Sequence, residues 1–250
     1  MRLTPLRITL HAAVLVAWLA AIGGFYALAR WVDGTYFLPF DKKPSIWMQD
    51  SRGTVVEQLF HFVNGVGELQ WIAAALAALF ILLIARGRLL EAAIVLGAGA
   101  MRYVQLAIRE IVDRPFSWDE PPVPVRVFPN ADSFPSGTFM GEVLAYGLIF
   151  VFVSRIVPWP PIVWLVRAFS LFVIVVGGPA RLYTGAHWTS DLIGSALLAA
   201  TYLIPALWLD FVMRERASLR RADAETPQPI PLRLRPAGAD DAMREPAPHR

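Results

Sequence analysis

Cysteine is absent from the 250 residues, so the chain has neither a disulfide framework nor a thiolate metal site. Histidine is scarce. His11, His61, His187 and His249 are scattered, and none joins a carboxylate cluster at metal-ligand spacing, so no metal or other cofactor is expected. Charge is scarce as well: 17% of residues are Asp, Glu, Lys or Arg and 56% are hydrophobic. Soluble domains carry about 25% charged and about 45–50% apolar residues. With a mean hydropathy of +0.49, the composition excludes an ordinary soluble domain and points to a membrane. The formal net charge of +3 is small, and no nucleic-acid partner is expected. No internal repeat occurs at solenoid spacing.

Six apolar runs are long enough to span a bilayer: 8–29, 68–85, 89–111, 138–156, 161–178 and 190–212. The expected fold class is all-α, a polytopic membrane protein of six spans. The first run has a basic flank (Arg2, Arg7) and ends in Ala27-Leu28-Ala29, which also resembles a signal-peptide cleavage site. Its apolar stretch exceeds the usual h-region of about 7–15 residues, so a retained helix is expected. With the N-terminus inside, Arg86, Arg88, Arg155 and Arg214 fall in inner segments, as the positive-inside rule requires. The outer segments 30–67, 112–137 and 179–189 hold basic residues too, and every polar cluster with chemical potential. Trp31, Trp71, Trp118, Trp159, Trp188 and Trp208 sit near the ends of spans, as an interfacial belt does. Residues 54–65 read as an amphipathic helix on the outer surface. The membrane domain is expected over 1–213. Residues 214–250, rich in Pro, Ala and Arg, read as a disordered inner tail against anionic lipid. Oligomeric state has no signature here.

Three polar clusters interrupt the apolar pattern. The densest runs from Pro179 to Asp191 and carries Arg181, His187 and Asp191. His187 and Asp191 are four apart, so on a helix they share a face. A carboxylate behind an imidazole fixes its tautomer and favours its charged form, which prepares a nucleophile or proton carrier; capping a helix start is the structural alternative. Arg181 adds a planar cation suited to phosphate. The second cluster, Asp132 to Thr138, puts Ser136 and Gly137 at the N-terminal edge of a span. There, free N–H groups and a closely approachable backbone suit an anion, or Ser136 is a plain N-cap. The third, Arg109 to Pro115, closes the third span, where arginines bind an anion or snorkel to the interface.

Together these clusters resemble the type 2 phosphatidic acid phosphatase superfamily, membrane branch. Its pattern is Lys-x6-Arg-Pro, then Pro-Ser-Gly-His, then Ser-Arg-x5-His-x3-Asp. Arg181, His187 and Asp191 match the third motif, with Ala180 in place of its Ser; Pro135, Ser136 and Gly137 match the second. The first aligns in two registers. In one, Arg114-Pro115 is the motif pair and Ala107 stands where Lys belongs. In the other, which we prefer, Arg109 replaces the Lys and Phe116 stands where the motif Arg belongs. Either register lacks one cation. The resemblance covers roughly residues 30–212 and implies an active site at the outer ends of spans three to six.

It also implies a lipid phosphate or diphosphate substrate, with membrane lipids as the other partners, and a two-step phosphoryl transfer. His187 attacks phosphorus with Asp191 behind it, while Arg181, Ser136, Gly137 and Arg109 or Arg114 hold the phosphate. Thr138 departs from the pattern, because the family has there the histidine that protonates the leaving group. Three readings accommodate it. The leaving group of a diphosphate is already weakly basic; or another acid substitutes, Glu142 one turn on or His61; or the chain binds, moves or transfers a lipid phosphate without hydrolysing it. Glu142 has a structural alternative, partnering Arg102 or Arg109 within the membrane. A transporter is the competing class, but its charges belong near mid-membrane, whereas these clusters lie at one face.

Overall fold

A computed structural model describes residues 5–114 and 133–225. Among these the chain forms eight helices and no strand: α1 (Pro5–Val32), α2 (Lys42–Gln49), α3 (Val55–Val66), α4 (Leu69–Ala85), α5 (Leu89–Ile111), α6 (Gly137–Ile156), α7 (Pro160–Tyr183) and α8 (Thr189–Glu225). Helices α1, α5, α6, α7 and α8 are each long and apolar enough to cross a bilayer. Counted as one span, α3 and α4, a pair bent by 57°, are together long and apolar enough for a sixth. The chain is thus an all-α polytopic membrane protein, with α1, α4, α5, α6, α7 and α8 falling on the six apolar runs. It divides into two units, Met1–Asp210 and Phe211–Arg250. In the second, residues 211–225 are helical, including the stretch 214–225 where the sequence reading begins a disordered tail. Residues 226–250 lie outside the described residues, as do Pro115, Phe116, Trp118 and Asp132.

Local chemistry sets the ends of these helices. Ser136 caps α6 by accepting the Phe139 N–H at 3.4 Å. Pro160 and Pro161 open α7, where a missing N–H loses no hydrogen bond. Gly87 and Gly185, both at φ +67°, turn the chain between α4 and α5 and between α7 and α8, a conformation that side chains with a Cβ rarely adopt.

Helix α6 is the centre of the first unit. Its Met140, Leu144, Leu148 and Phe152 are buried against Leu79 and Leu83 of α4, Ile94, Val95 and Ala98 of α5, and Leu198 and Ala199 of α8. In lipid the hydrophobic effect does little to hold such faces together, so close packing and interhelical hydrogen bonds must. Gly97 shows the device. Tyr202 Oη donates to the Ile94 carbonyl at 2.6 Å, crossing a position where a Cβ on Gly97 would lie 2.3 Å from the tyrosine hydroxyl. Leu15, Val16 and Leu19 of α1, with Trp164, Leu165 and Val175 of α7, point outward; in water they would form a large exposed apolar surface.

Charge is buried at two levels. Near the start of α5 and the end of α6, Arg155 holds Asp210 through two bonds of 2.7 and 2.6 Å and Glu91 at 2.9 Å. The three motif clusters lie toward the opposite helix ends.

The amphipathic helix expected over 54–65 exists as α3; it packs part of its apolar face onto α7, while Val55, Val56 and Leu59 stay exposed. Phe60 and Val63 are buried with Val173, Ala180 and Tyr183. Asn64 Nδ2 donates to the Ala180 carbonyl at 2.8 Å, and the Phe60 and Tyr183 rings lie 5.4 Å apart. Helix α2 has no counterpart in the sequence reading.

Candidate active site

Gly185 reverses the chain after α7, so His187 falls just before α8 and Asp191 in its first turn. Asp191 Oδ2 accepts the Trp188 N–H at 2.9 Å and lies 3.5 Å from His187 Nδ1. Capping and imidazole alignment, alternatives in sequence, are therefore carried by one carboxylate. The His187 side chain is 11% exposed and that of Asp191 is fully buried, so the imidazole meets the surface while its partner does not. A spacing of 3.5 Å is an ion-pair contact, long for a hydrogen bond.

The other Asp191 oxygen is held from behind. Arg114 Nη1 donates to Asp191 Oδ1 and, at 2.7 Å, to Ser190 Oγ; Arg114 Nη2 reaches Asp41 Oδ2 at 2.8 Å. Asp41 in turn accepts the Ser190 N–H and hydroxyl, each at 2.8 Å, and the Leu38 N–H at 2.7 Å. Asp41, Arg114 and Asp191 are all fully buried. Buried charge survives only when paired and hydrogen-bonded, and this cluster satisfies that condition with two carboxylates on one guanidinium. Arg114, expected among the phosphate ligands, thus faces Asp191 and Asp41 instead. Ser133 ties the second cluster in, its N–H donating to the Arg114 carbonyl at 2.9 Å and its hydroxyl 3.5 Å from Asp191 Oδ1.

At the head of α6, Ser136 Oγ and Thr138 Oγ1 lie 3.4 Å apart. The cation nearest Gly137 is Arg102 of α5, which the sequence reading named only as a possible partner of Glu142. A Cβ on Gly137 would stand 2.1 Å from Arg102 Nη1 and 2.7 Å from Gln105 Oε1. Gln105 orients the guanidinium by accepting Arg102 Nη1 at 2.6 Å, and anchors itself by donating to the Pro135 carbonyl at 2.9 Å. Gly137 is therefore required by close approach, its helix N-terminus adding partial positive charge beside the arginine. Arg109 is half-buried in the last turn of α5.

Arg181 Nη2 donates to Glu142 Oε1 at 2.6 Å and to the Gly67 carbonyl at 2.8 Å. Glu142 accordingly partners neither Arg102 nor Arg109. Helix rotation sends its side chain to α7 and the α3–α4 bend rather than to α5. The carboxylate is clasped between two glycines: a Cβ on Gly67 would lie 1.6 Å from Oε1, and one on Gly177 would lie 2.2 Å from Oε2. His61 lies elsewhere, 3.6 Å from Glu57 Oε1 and edge-on to Tyr183, with its side chain 60% exposed.

Phe139, next to Thr138, joins these parts. Its ring is 3.6 Å from where a Gly178 Cβ would be, and it is buried with Leu182 of α7 and Leu192 of α8. The first turn of α6, the last turns of α7 and the first turn of α8 thereby converge. Among the described residues no group of three or more His, Asp or Glu side chains is placed to hold a metal ion.

Asp41, Ser190, Arg102 and Gln105 were missed as site residues. Asp41 acts on a partner far away in sequence, which one chain does not reveal. Arg102 left a usable signal: an arginine inside an apolar helix needs a partner.

No curated protein matches the chain significantly. Among solved structures, a transmembrane PAP2 type phosphatidylglycerolphosphate phosphatase from Bacillus subtilis is similar, at 20% identity and a TM-score of 0.61. The alignment covers 77% of this chain and 95% of that one, a likeness of fold. The family model for the PAP2 superfamily matches residues 93–215. That stretch runs from α5 into α8 and takes in all three motif clusters, so the site-bearing part of the chain, residues 93–215, belongs to the PAP2 superfamily.

Proposed function

We propose that the protein is a membrane lipid phosphatase that hydrolyses a lipid phosphate or diphosphate through a phosphohistidine on His187. The observation that carries this reading is His187 backed by a buried Asp191 that is itself fixed by Arg114. A carboxylate held in this way favours an imidazole with its proton on Nδ1, leaving Nε2 as the nucleophile. A protein that only binds phosphate has no use for that arrangement.

In the first step Nε2 of His187 bonds to phosphorus as the bond to the leaving oxygen breaks. In the second, water attacks phosphorus, the N–P bond breaks and phosphate departs with His187 restored. Arg181, Arg102, Ser136 and the Gly137 amide supply the charge and hydrogen bonds for the phosphoryl oxygens, where positioning and charge neutralisation carry most of the catalysis. Arg109 is the remaining candidate ligand. The arginines of the inner connections favour an orientation with both termini cytoplasmic and the site open to the outer leaflet of the plasma membrane.

Thr138 divides the substrates. A diphosphate expels a phosphate ester, which leaves without a proton, whereas a monoester expels an alkoxide and needs an acid. Phosphate release by the purified protein from lipid mono- and diphosphates, with His187→Ala as control, tests the reading. A His187→Ala variant as active as the parent would end it. Phosphate binding with no adduct at His187 would support the second reading, favoured by Thr138: a protein that binds or transfers a lipid phosphate.

A further inference from the structure

Besides Asp191 and Asp41, the site holds a third buried carboxyl group, which the two-step scheme does not use. Glu142 is fully buried, one turn beyond Thr138 on the same face of α6. Its Oε1 is bound by Arg181, while its Oε2 has no hydrogen-bond partner among the described residues. Arg181 is similarly half-used. Its Nη2 donates to Glu142 and Gly67, but its Nε is buried without an acceptor among those residues. Two facing groups, each with an unanswered valence, describe a pair set to exchange partners.

We propose that a substrate phosphate on Arg181 displaces Glu142, and that Glu142, taking up a proton, serves as the general acid that Thr138 cannot be. This rests on the phosphohistidine reading above and deepens it. The cause is electrostatic. A carboxylate in this place is tolerated because the guanidinium answers its charge. Once a phosphate dianion competes for that guanidinium, a fully buried and half-unbonded carboxylate is disfavoured and binds a proton from water.

The protons then balance. As Nε2 of His187 bonds to phosphorus, the P–O bond to the lipid breaks and the Glu142 proton moves to the departing oxygen, giving a neutral alcohol. Glu142 is left as a carboxylate. In the second step it accepts a proton from the water that attacks phosphorus and the N–P bond breaks; as phosphate leaves, Glu142 gives that proton back to water and returns to Arg181 as a carboxylate. Gly67 and Gly177 keep the cradle open, since a methyl group on either would meet the carboxyl oxygens at 1.6 or 2.2 Å. The inference extends the substrate class to lipid phosphate monoesters, whose alkoxide leaving group needs a proton.

The test uses leaving groups of different basicity on the purified full-length protein. Glu142→Gln keeps the shape and an oxygen for Arg181 but has no proton to give. Hydrolysis of a long-chain alkyl monophosphate should fall by about 10²–10⁴. In a single turnover of p-nitrophenyl phosphate, release of p-nitrophenolate, whose departure needs no acid and precedes the second step that all substrates share, should lose far less than the alkyl phosphate does. Equal losses on both substrates, or none on the alkyl phosphate, overturn the proposal. Thr138→His gives an answer that does not depend on the Gln variant folding. If Glu142 already supplies the proton, a histidine at 138 adds little to alkyl phosphate turnover, and a gain of about 100-fold or more would show that the parent works without an acid. Trapping the His187 adduct with p-nitrophenyl phosphate separates the two levels. An adduct with failed leaving-group discrimination sinks the Glu142 role alone, whereas no adduct ends the nucleophile reading as well.

Discussion

Asp41 and Arg114 form an ion pair entirely out of reach of solvent, with 2.8 Å between Oδ2 and Nη2. The consequence falls on Asp191, the other carboxylate on the same guanidinium. With Asp191 alone, Arg114 would cancel the charge that orients and favours His187. With Asp41 present, two carboxylates share one cation and the cluster stays net negative. Asp41→Asn should therefore lower kcat about 10-fold, by analogy with the loss of supporting groups behind other reactive residues. KM should not change, because Asp41 reaches the reaction only through Arg114 and Asp191. Steady-state kinetics normalised to trapped phosphohistidine check this. A raised KM at constant kcat would instead return Arg114 to the phosphate. Asp41→Ala, which leaves the Ser190 and Leu38 N–H groups and Arg114 Nη2 without their acceptor, should also cost about 1–3 kcal/mol of stability, visible as a lower thermal midpoint.

Arg102 makes a separate prediction. It lies against Gly137 and is oriented by Gln105, where the first motif lacks a cation. A hydrogen bond to a charged group contributes about 1.5–3 kcal/mol, or roughly 10–100-fold in affinity. Arg102→Gln should weaken inhibition by inorganic phosphate by that factor. Gly137→Ala should do the same by a different route, since its methyl would lie 2.1 Å from Nη1 and drive the guanidinium away. If phosphate inhibits both variants as it does the parent, Arg102 is a structural charge and Arg109 becomes the stronger candidate.

His61→Ala should leave turnover within about two-fold of the parent, because surface changes away from such networks are usually small. The imidazole is paired with Glu57 and stacked edge-on to Tyr183, on the outward side of α3. Phosphate release assayed beside His187→Ala would expose a contribution from His61 as the acid, if turnover fell as steeply.

The spans and the motif clusters were legible because each rests on a local pattern. A bilayer fixes the length of an apolar run, and polar residues between such runs stand out. Helix α2 was not legible: eight residues with two lysines carry no periodicity. The pairings were the least legible. Arg114 looked like a phosphate ligand because its partner Asp41 stands 73 positions away, on a segment with no motif of its own. Glu142 was expected to meet an arginine of α5, and instead meets Arg181, 39 positions on. Which face of a helix meets which neighbour is decided by packing of the whole bundle, and a single sequence states that only weakly. The glycines that admit these side chains, Gly67, Gly137 and Gly177, are read as sites of close approach only once the neighbours are known.

Gly177 offers the sharpest check on that packing. A methyl group there would stand 2.2 Å from Glu142 Oε2 and 3.6 Å from the Phe139 ring, so the carboxylate must move or α7 must shift. Overpacking of this kind costs typically about 1–3 kcal/mol. Gly177→Ala should therefore lower the thermal midpoint and also weaken the hold of Glu142 on Arg181. Shortening the carboxylate side chain removes the collision: in a Glu142→Ala background the added methyl has space, and the second substitution should restore much of the stability lost to the first. Measured as a double-mutant cycle, the two changes should be strongly non-additive. Simple addition of their effects would mean that Glu142 does not occupy the cradle between α6 and α7, and the pairing with Arg181 would fall with it.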